Sequence, residues 1–249
     1  MKIMTYNVCW EALEAIKGRV DMSKCMDKTK NRCFANIVEI INDKLKQEYD
    51  FICLQEINMK QVNNMAVYLS LDNYNIIKKE IFPAGIITLY HNKYKLIKKY
   101  TGNLIDSKID RRPYIISLFT NNTVLVNIHM PHVRQYDAIL ILKTKLYKLK
   151  PFINKQTIFI ICGDFNNKDP YKILSLSQLL QQFKQTIRME PNIIKTCCVP
   201  NGTTYNLPID HIFISSNAKY VSYKTITKKE KYMSDHIPLF CEIIFKARC

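Results

Sequence analysis

The chain has few glycines and no stretch rich in glycine or proline. Only five glycines occur among 249 residues, and the nine prolines are scattered, so no segment has the composition of a flexible linker. No internal repeat is found either. We therefore predict a single domain that covers residues 1–249.

Zinc-binding and membrane-spanning patterns are also missing. The nine cysteines form no Cys-x-x-Cys pair that would indicate a zinc site. Their odd number, and the position of Cys53 and Cys162 inside apolar runs, argue against a disulfide framework and favour a reducing compartment. No apolar run approaches the roughly 18 residues of a membrane span, and no signal peptide is recognised. We expect an intracellular protein of the cytoplasm or nucleus.

Positive charge is what the chain has in excess. Lysine and arginine number 37 against 21 acidic residues, which gives a net charge of +16, while the apolar fraction of 47% is ordinary. Such a surplus favours a polyanionic partner, either nucleic acid or an anionic membrane. The alternative is that the lysines are merely solvated and reflect the composition of an AT-rich genome. Charge alone does not choose between DNA, RNA and phospholipid.

Strand patterns outnumber helix patterns along the chain. Helices are predicted near residues 30–46, 59–71, 136–149 and 172–183. Strands are predicted near residues 2–6, 51–54, 74–77, 84–90, 94–99, 114–119, 123–128, 158–162, 209–215, 221–225 and 238–245. Because helices interrupt the strands only occasionally, the order favours an α/β sandwich with mixed, mainly antiparallel sheets over a doubly wound parallel sheet.

The most informative segment is Ile158–Asn166. Its apolar run predicts a buried strand, which ends at Gly163 and is followed by Asp164 and Asn166. In an extended chain residues two apart point the same way, so the two polar side chains would face one ligand. The alternative is an ordinary Asp/Asn turn that closes the strand.

Polar groups stand at five further strand ends. Each has an ordinary explanation, such as a solvated acid, a helix cap or a core histidine, but the repetition of the pattern favours one shared site. The groups are Asn7, Glu56, His129, Asp210 with His211, and Asp235 with His236.

This set of side chains is suited to the cleavage of a phosphate ester with a bound metal ion. Mg²⁺ prefers oxygen ligands and keeps several waters, so one or two carboxylates suffice to bind it. Glu56 is the best candidate ligand, with Asn7 and Asp235 nearby, and the metal would act as a Lewis acid.

The remaining groups supply proton transfer. Asp164 would accept a proton from an attacking water that Asn166 helps to orient. His236, paired with Asp210, would support the developing charge. His129 offers a second acid/base or a donor to phosphate.

These motifs resemble the endonuclease/exonuclease/phosphatase superfamily, which has the deoxyribonuclease-I-like fold. The resemblance runs from residue 5 to about residue 240, and it rests on T-Y-N-V, L-Q-E, His129, G-D-F-N, I-D-H-I-F-I-S and S-D-H-I-P-L in this order. It implies a four-layered α/β sandwich, in which two packed mixed β-sheets are flanked by helices. It also implies hydrolysis of phosphodiesters or phosphomonoesters that depends on a divalent metal.

The resemblance assigns roles residue by residue. Asn7 and Glu56 look like the pair of residues at the metal ion, and Asp235 looks like the acid that completes the metal site. Asp164 and Asn166 look like the pair that activates water and orients phosphate, and Asp210 with His236 looks like the Asp–His dyad. His129 is similar to the histidine of the deoxyribonuclease I and deadenylase-like branches.

Departures from the pattern disfavour some branches. Abasic-site endonucleases usually have an aspartate where this chain has Cys9, and they lack a strand-end histidine at the place of His129. Inositol-polyphosphate 5-phosphatases have an arginine after the dyad aspartate, where this chain has His211. The carboxylate that orients His129 is left open, with Glu80 as a guess.

Arginine and histidine near the predicted site are candidate contacts to the substrate phosphate. Arg112 precedes a strand and is equally consistent with a solvated loop, while His132 and Arg134 follow His129 in the next loop.

We therefore expect a monomeric phosphodiesterase that uses Mg²⁺, or alternatively Mn²⁺, to cleave DNA or RNA. One alternative is a phosphatase or a sphingomyelinase-like enzyme that acts on a phospholipid or a soluble phosphate ester. A minor alternative is a catalytically silent nucleic-acid-binding module.

Overall fold

A computed structural model describes residues 1–14, 26–27, 30–105, 111–170, 176, 178–188, 194–197, 207–226 and 234–245. The helices in this part of the chain are α1 (Trp10–Glu14), α2 (Arg32–Lys46), α3 (Met59–Ala66) and α4 (Gln135–Tyr147). The strands are β1 (Lys2–Asn7), β2 (Met26–Asp27), β3 (Lys30–Asn31), β4 (Phe51–Ile57), β5 (Tyr74–Lys79), β6 (Gly85–His91), β7 (Leu96–Asn103), β8 (Pro113–Phe119), β9 (Thr123–His129), β10 (Ile158–Asp164), β11 (Ile187–Arg188), β12 (Asp210–Ser215), β13 (Ala218–Thr225) and β14 (Leu239–Phe245). None of the described helices is long and apolar enough to cross a membrane.

Two six-stranded sheets form the centre of the fold. The first has the order β13-β14-β1-β4-β6-β5, and the second has the order β11-β12-β10-β9-β8-β7. Only the β1–β4 and β9–β10 pairs within these described sheets are parallel. The predicted mixed, mainly antiparallel sandwich is confirmed.

Three apolar layers show how the sheets and helices stack. Alternate residues of β1 belong to different layers: Met4 and Tyr6 pack with α2, while Ile3 faces the second sheet. On the far side of the second sheet, Val126 and Ile161 pack against α4. The order helix, sheet, sheet, helix is the predicted four-layered sandwich.

Most predicted elements are present, with shifted ends. Helix α2 begins after Asn31, whose side chain accepts a hydrogen bond from the Phe34 N–H, and α3 ends at Ala66, before the predicted boundary. The short elements α1, β2, β3 and β11 were not predicted. Residues 172–175 and 177 of the helix predicted near residues 172–183 lie outside the described residues, and its end, Gln181–Phe183, is a 3-10 helix.

A buried amide bridge joins the two sheets. Gln55 Nε2, on β4, donates to Asn127 Oδ1, on β9, at 2.7 Å. The Asn127 Nδ2 donates in turn to the Ile87 carbonyl at 2.9 Å, and Gln55 Nε2 lies 3.1 Å from Thr5 Oγ1. Both amides are fully buried, so their hydrogen bonds to each other and to neighbouring groups replace those that water would make. The bridge therefore fixes how the sheets are aligned.

A double-mutant cycle tests this bridge. We expect Asn127→Leu alone to lower the free energy of unfolding by about 1–3 kcal/mol, because it removes the shortest of the hydrogen bonds that the buried Gln55 amide donates. The Gln55→Leu/Asn127→Leu variant should lose less than the sum of the two single variants. Urea unfolding measures all four proteins, and strictly additive losses would show that the bridge contributes no coupling.

Candidate active site

Three of the side chains predicted at strand ends, Asn7, His129 and His236, approach one carboxylate oxygen of Asp164. Oδ2 of Asp164 accepts a hydrogen bond from Asn7 Nδ2 at 3.0 Å and lies 3.6 Å from His129 Nε2 and 3.8 Å from His236 Nε2. Asn7 comes from the first sheet, while Asp164 and His129 come from the second. The site therefore lies at the edge where the two sheets meet.

Register places three of these residues side by side in the second sheet. Asp164, at the end of β10, pairs with His129 on β9 and with Asp210 on β12. Three neighbouring strands thus present a histidine and two aspartates at the same level.

Glu56 reaches the site through an irregularity in β4. The pairing of β4 with β6 shifts between Gln55 and Ile57, and Glu56 has a φ of 55°. Glu56 thus lies within the strand, at a bulge, rather than just past its end as predicted. Its Oε1 lies 3.3 Å from Asn7 Nδ2 and 3.8 Å from His129 Nε2.

Asn7 links the two carboxylates. Its Nδ2 lies within hydrogen-bonding distance of both Glu56 and Asp164, and its Oδ1 accepts the Cys9 N–H at 3.1 Å. These contacts fix the orientation of the amide. The metal-ligand role expected of Asn7 stays a prediction.

His236 and Asp210 form the predicted pair. The ring Nδ1 of His236 lies 2.8 Å from Asp210 Oδ2, and both residues are buried. Sequence reasoning missed Ser234, which attaches the segment before β14 to β1. Its hydroxyl donates to the Asn7 carbonyl at 2.7 Å and accepts the His236 N–H at 3.0 Å. Asp235 lies between these two anchored residues.

Burial and neighbouring charges shift the protonation of the cluster. Burial and the nearby Asp210 raise the pKa of Asp164 to about 7, although His236 opposes the shift. Burial alone would lower the pKa of His236, but the carboxylates of Asp210, Asp235 and Asp164 outweigh it and raise the pKa to about 10. The neighbouring carboxylates therefore favour the protonated form of the His236 ring.

Asp164 also closes a turn. Its Oδ1 accepts the Asn166 N–H at 2.8 Å, Asn166 has a φ of 48°, and Asn166 Nδ2 donates to the Met130 carbonyl at 2.8 Å. The strand ends at Asp164, so the expected extended spacing of the two side chains does not apply. The ordinary turn and the site role coexist in this segment.

The predicted phosphate contacts divide into two groups. The Arg112 guanidinium contacts the His129 ring, which places this arginine in the cluster. His132 and Arg134 are exposed on the loop before α4, where Arg134 Nε donates to Asp137 Oδ2 at 2.8 Å. Phosphate binding by all three stays a prediction.

Two expectations about other residues need correction. Glu80 does not orient His129 in this structure: it lies 3.7 Å from Lys78 Nζ, and the carboxylates near the His129 ring are Glu56 and Asp164. Cys33 and Cys197 are each disulfide-bonded, contrary to the expectation of free thiols. Pairing of cysteines depends on proximity in the fold, which spacing along the chain does not show.

Sequence reasoning also missed the polar residues behind the site. Thr5 and Asn127 lie two residues before Asn7 and His129, on the same face of their strands, and Gln55 directly precedes Glu56. Polar residues inside otherwise apolar strands were the signal that could have found them.

The fold and this cluster together define a candidate active site at the edge of a two-sheet sandwich. The chain belongs to the Endonuclease/Exonuclease/phosphatase family, whose model matches residues 4–236. Members of this family are metal-dependent hydrolases that act on phosphate esters.

One viral protein is similar in sequence over nearly the whole chain. The uncharacterized protein L684 of Acanthamoeba polyphaga mimivirus is 28% identical over 262 residues, which cover 97% of this chain and 50% of that protein. The chain thus spans about half the length of the curated relative it matches, and its organisation as one domain over residues 1–249 stays a prediction.

Solved structures share the fold. The mannosyl-6-phosphatase of Bacteroides thetaiotaomicron has a TM-score of 0.70 at 16% identity, with 98% of this chain and 100% of that chain covered. D. rerio TDP2 complexed with a single-strand DNA product has a TM-score of 0.65 at 14% identity, with 98% of each chain covered.

Close approach of two strands makes Gly163 a sensitive position. It has a φ of 143°, and a Cβ added there would lie 1.9 Å from the Ile128 carbonyl oxygen. We expect Gly163→Ala to separate β9 from β10, to lower the free energy of unfolding by more than about 1 kcal/mol and to disturb the Asp164–His129 pair. Urea unfolding measures the loss, with Cys162→Ala as the neighbouring control. Stability equal to that of the control would contradict the close approach.

Proposed function

We propose that the protein is a Mg²⁺-dependent phosphodiesterase that cleaves nucleic acid. The observation that carries this proposal is the convergence of Asn7, His129 and His236 on the buried Asp164 carboxylate, beside Glu56. Nucleic acid is chosen as the substrate because the net charge of +16 favours a polyanion. The similar fold of TDP2, which was solved with a DNA product, is consistent with that choice.

The donor groups at the site fit a hard divalent cation. Glu56 is a buried carboxylate at the sheet edge, and Asp235 is a second one, close enough to raise the pKa of His236. Carboxylate oxygens suit Mg²⁺, with Mn²⁺ as the alternative. Glu56 would hold the ion, with Asp235 and Asn7 as the further candidates. The ion would supply Lewis-acid polarisation of the phosphoryl oxygens.

Asp164 is the group to which we assign proton acceptance from the attacking water. Asn7 contacts its Oδ2, and the Asn166 N–H binds its Oδ1, so the carboxylate has a fixed orientation. The Asn166 side chain is held by the Met130 carbonyl and would orient the water or the phosphate.

Two cationic groups face the position where negative charge would develop. His236, held by Asp210, points its Nε2 toward Asp164, while Arg112 stands against His129 on the other side. An imidazolium and a guanidinium in a buried site stabilise phosphoryl oxygens more strongly than they would in water. His129 is then placed to contact the phosphate or the leaving group.

Phosphomonoester hydrolysis is the second candidate function. The fold matches the mannosyl-6-phosphatase with a TM-score of 0.70, against 0.65 for the DNA-bound TDP2. Both reactions use the same phosphate site and differ in whether one or two ester oxygens are substituted.

Substitution within the cluster tests the mechanism. We expect Asp164→Ala and His236→Ala each to lower kcat on a cleavable substrate by at least about 100-fold, because each removes a proton acceptor or a charge partner of the phosphate. Asp72→Ala, at an exposed position, is the matched control. Circular dichroism confirms that the variants are folded, and full activity in both cluster variants would refute the assigned roles.

A substrate panel tests the choice of substrate. Labelled single- and double-stranded DNA and RNA are incubated with Mg²⁺ beside mannose 6-phosphate, sphingomyelin vesicles and the Asp164→Ala protein. We expect a ladder of nucleic-acid products that chelation with EDTA suppresses and added Mg²⁺ restores. Phosphate release from the sugar phosphate alone would instead support the second candidate.

A further inference from the structure

A sulfur atom lies beside the carboxylate that we assign to Mg²⁺. Cys9 Sγ donates to Glu11 Oε2 at 3.2 Å. One donor atom from each of Cys9, Glu11 and Glu56 lies within 4.8 Å of the other two. Cys9 and Glu56 are buried, and Glu11 is half-buried at the start of α1.

These three residues lie on neighbouring segments, since Cys9 follows β1, Glu11 lies on α1 and Glu56 lies on β4. Cys9 has a φ of 52°, its N–H donates to Asn7 Oδ1 at 3.1 Å, and its carbonyl accepts the Ala12 N–H at 2.9 Å. Glu56 comes from the bulge of β4, which pairs in parallel with β1. Cys9 is therefore held by backbone hydrogen bonds just after the end of β1, and Glu56 is held within β4.

We propose that Cys9, Glu11 and Glu56 form a site for a thiophilic divalent cation, of the class that includes Cd²⁺ and Zn²⁺. Thiolate sulfur is a soft ligand that such ions accept, whereas Mg²⁺ prefers oxygen ligands. Metal–sulfur bonds of about 2.3 Å and metal–oxygen bonds of about 2.1 Å place donors less than about 4.5 Å apart. The three donors lie within 4.8 Å of one another, so they must move closer together to bind one ion. When the ion binds, the Cys9 S–H proton leaves to water and a metal–sulfur bond replaces it.

The site shares Glu56 with the proposed Mg²⁺ site. A thiophilic cation bound to Cys9 and Glu11 therefore withdraws Glu56 from the catalytic cluster. The two sites compete for one carboxylate, so a thiophilic cation acts as an inhibitor of the proposed phosphodiesterase. This last consequence rests on the proposed function, whereas the binding itself does not.

Titration of the full chain with CdCl₂ tests the binding directly. The cadmium–thiolate charge-transfer absorption in the ultraviolet is recorded without thiol reductant and without substrate. We expect Cys9→Ser to lose the absorption of one thiolate and Glu11→Gln to weaken binding at least about tenfold. Two matched controls should keep both the absorption and the affinity: Glu14→Gln, at an exposed residue of the same helix, and Cys162→Ser, buried between the sheets.

The possible outcomes distinguish cadmium binding at Cys9 from binding at other cysteines, and they distinguish cadmium binding from catalysis. Unchanged absorption in Cys9→Ser, or loss of absorption in Cys162→Ser instead, overturns the proposal. If Cys9→Ser fails to fold, Glu11→Gln decides, since unchanged cadmium affinity in that variant also overturns it. Absence of Mg²⁺-dependent cleavage in the protein that binds cadmium would refute the proposed function and leave this site standing.

Discussion

The buried carboxylate of Asp164 is the group on which the rest of the site depends. A carboxylate removed from water is costly unless polar partners surround it, and its Oδ2 lies within 4 Å of groups from both sheets, namely Asn7, His129 and His236. These partners are themselves fixed, His236 by Asp210 and Asn7 by the Cys9 N–H. Solvation of this one carboxylate thus requires side chains from both sheets.

The site continues a face that begins as hydrophobic core. Along β9 the residues that face the other sheet are Leu125, then Asn127, then His129. On β1 the same face carries Ile3 and then Thr5 before Asn7. Each strand passes from apolar packing through a buried hydrogen-bonded layer to a side chain of the candidate site. The amide layer lets polar groups approach the core without leaving donors unpaired.

The strands and the convergence of their ends could be predicted because apolar runs mark buried strands whatever their partners. His129, Asp164 and Asp210 were found in this way. The backbone at Glu56 could not be predicted, since a bulge depends on how β4 pairs with β6. The disulfide bonding of Cys33 and the contact of Arg112 with His129 depend likewise on neighbours that are distant in the chain. Tertiary packing determines such features, and the local sequence around these residues does not predict them.

The backbone of three residues at or beside the site is strained. Cys9, Glu56 and Asn166 all have positive φ values, between 48° and 55°, which for residues other than glycine cost about 1–3 kcal/mol each. The apolar layers of the sandwich must supply this free energy. Glycine would relieve the conformation at any of these positions and so tend to stabilise the fold while removing the functional group. Backbone strain is therefore found at the same residues whose side chains the proposed catalysis and the proposed cation site would use.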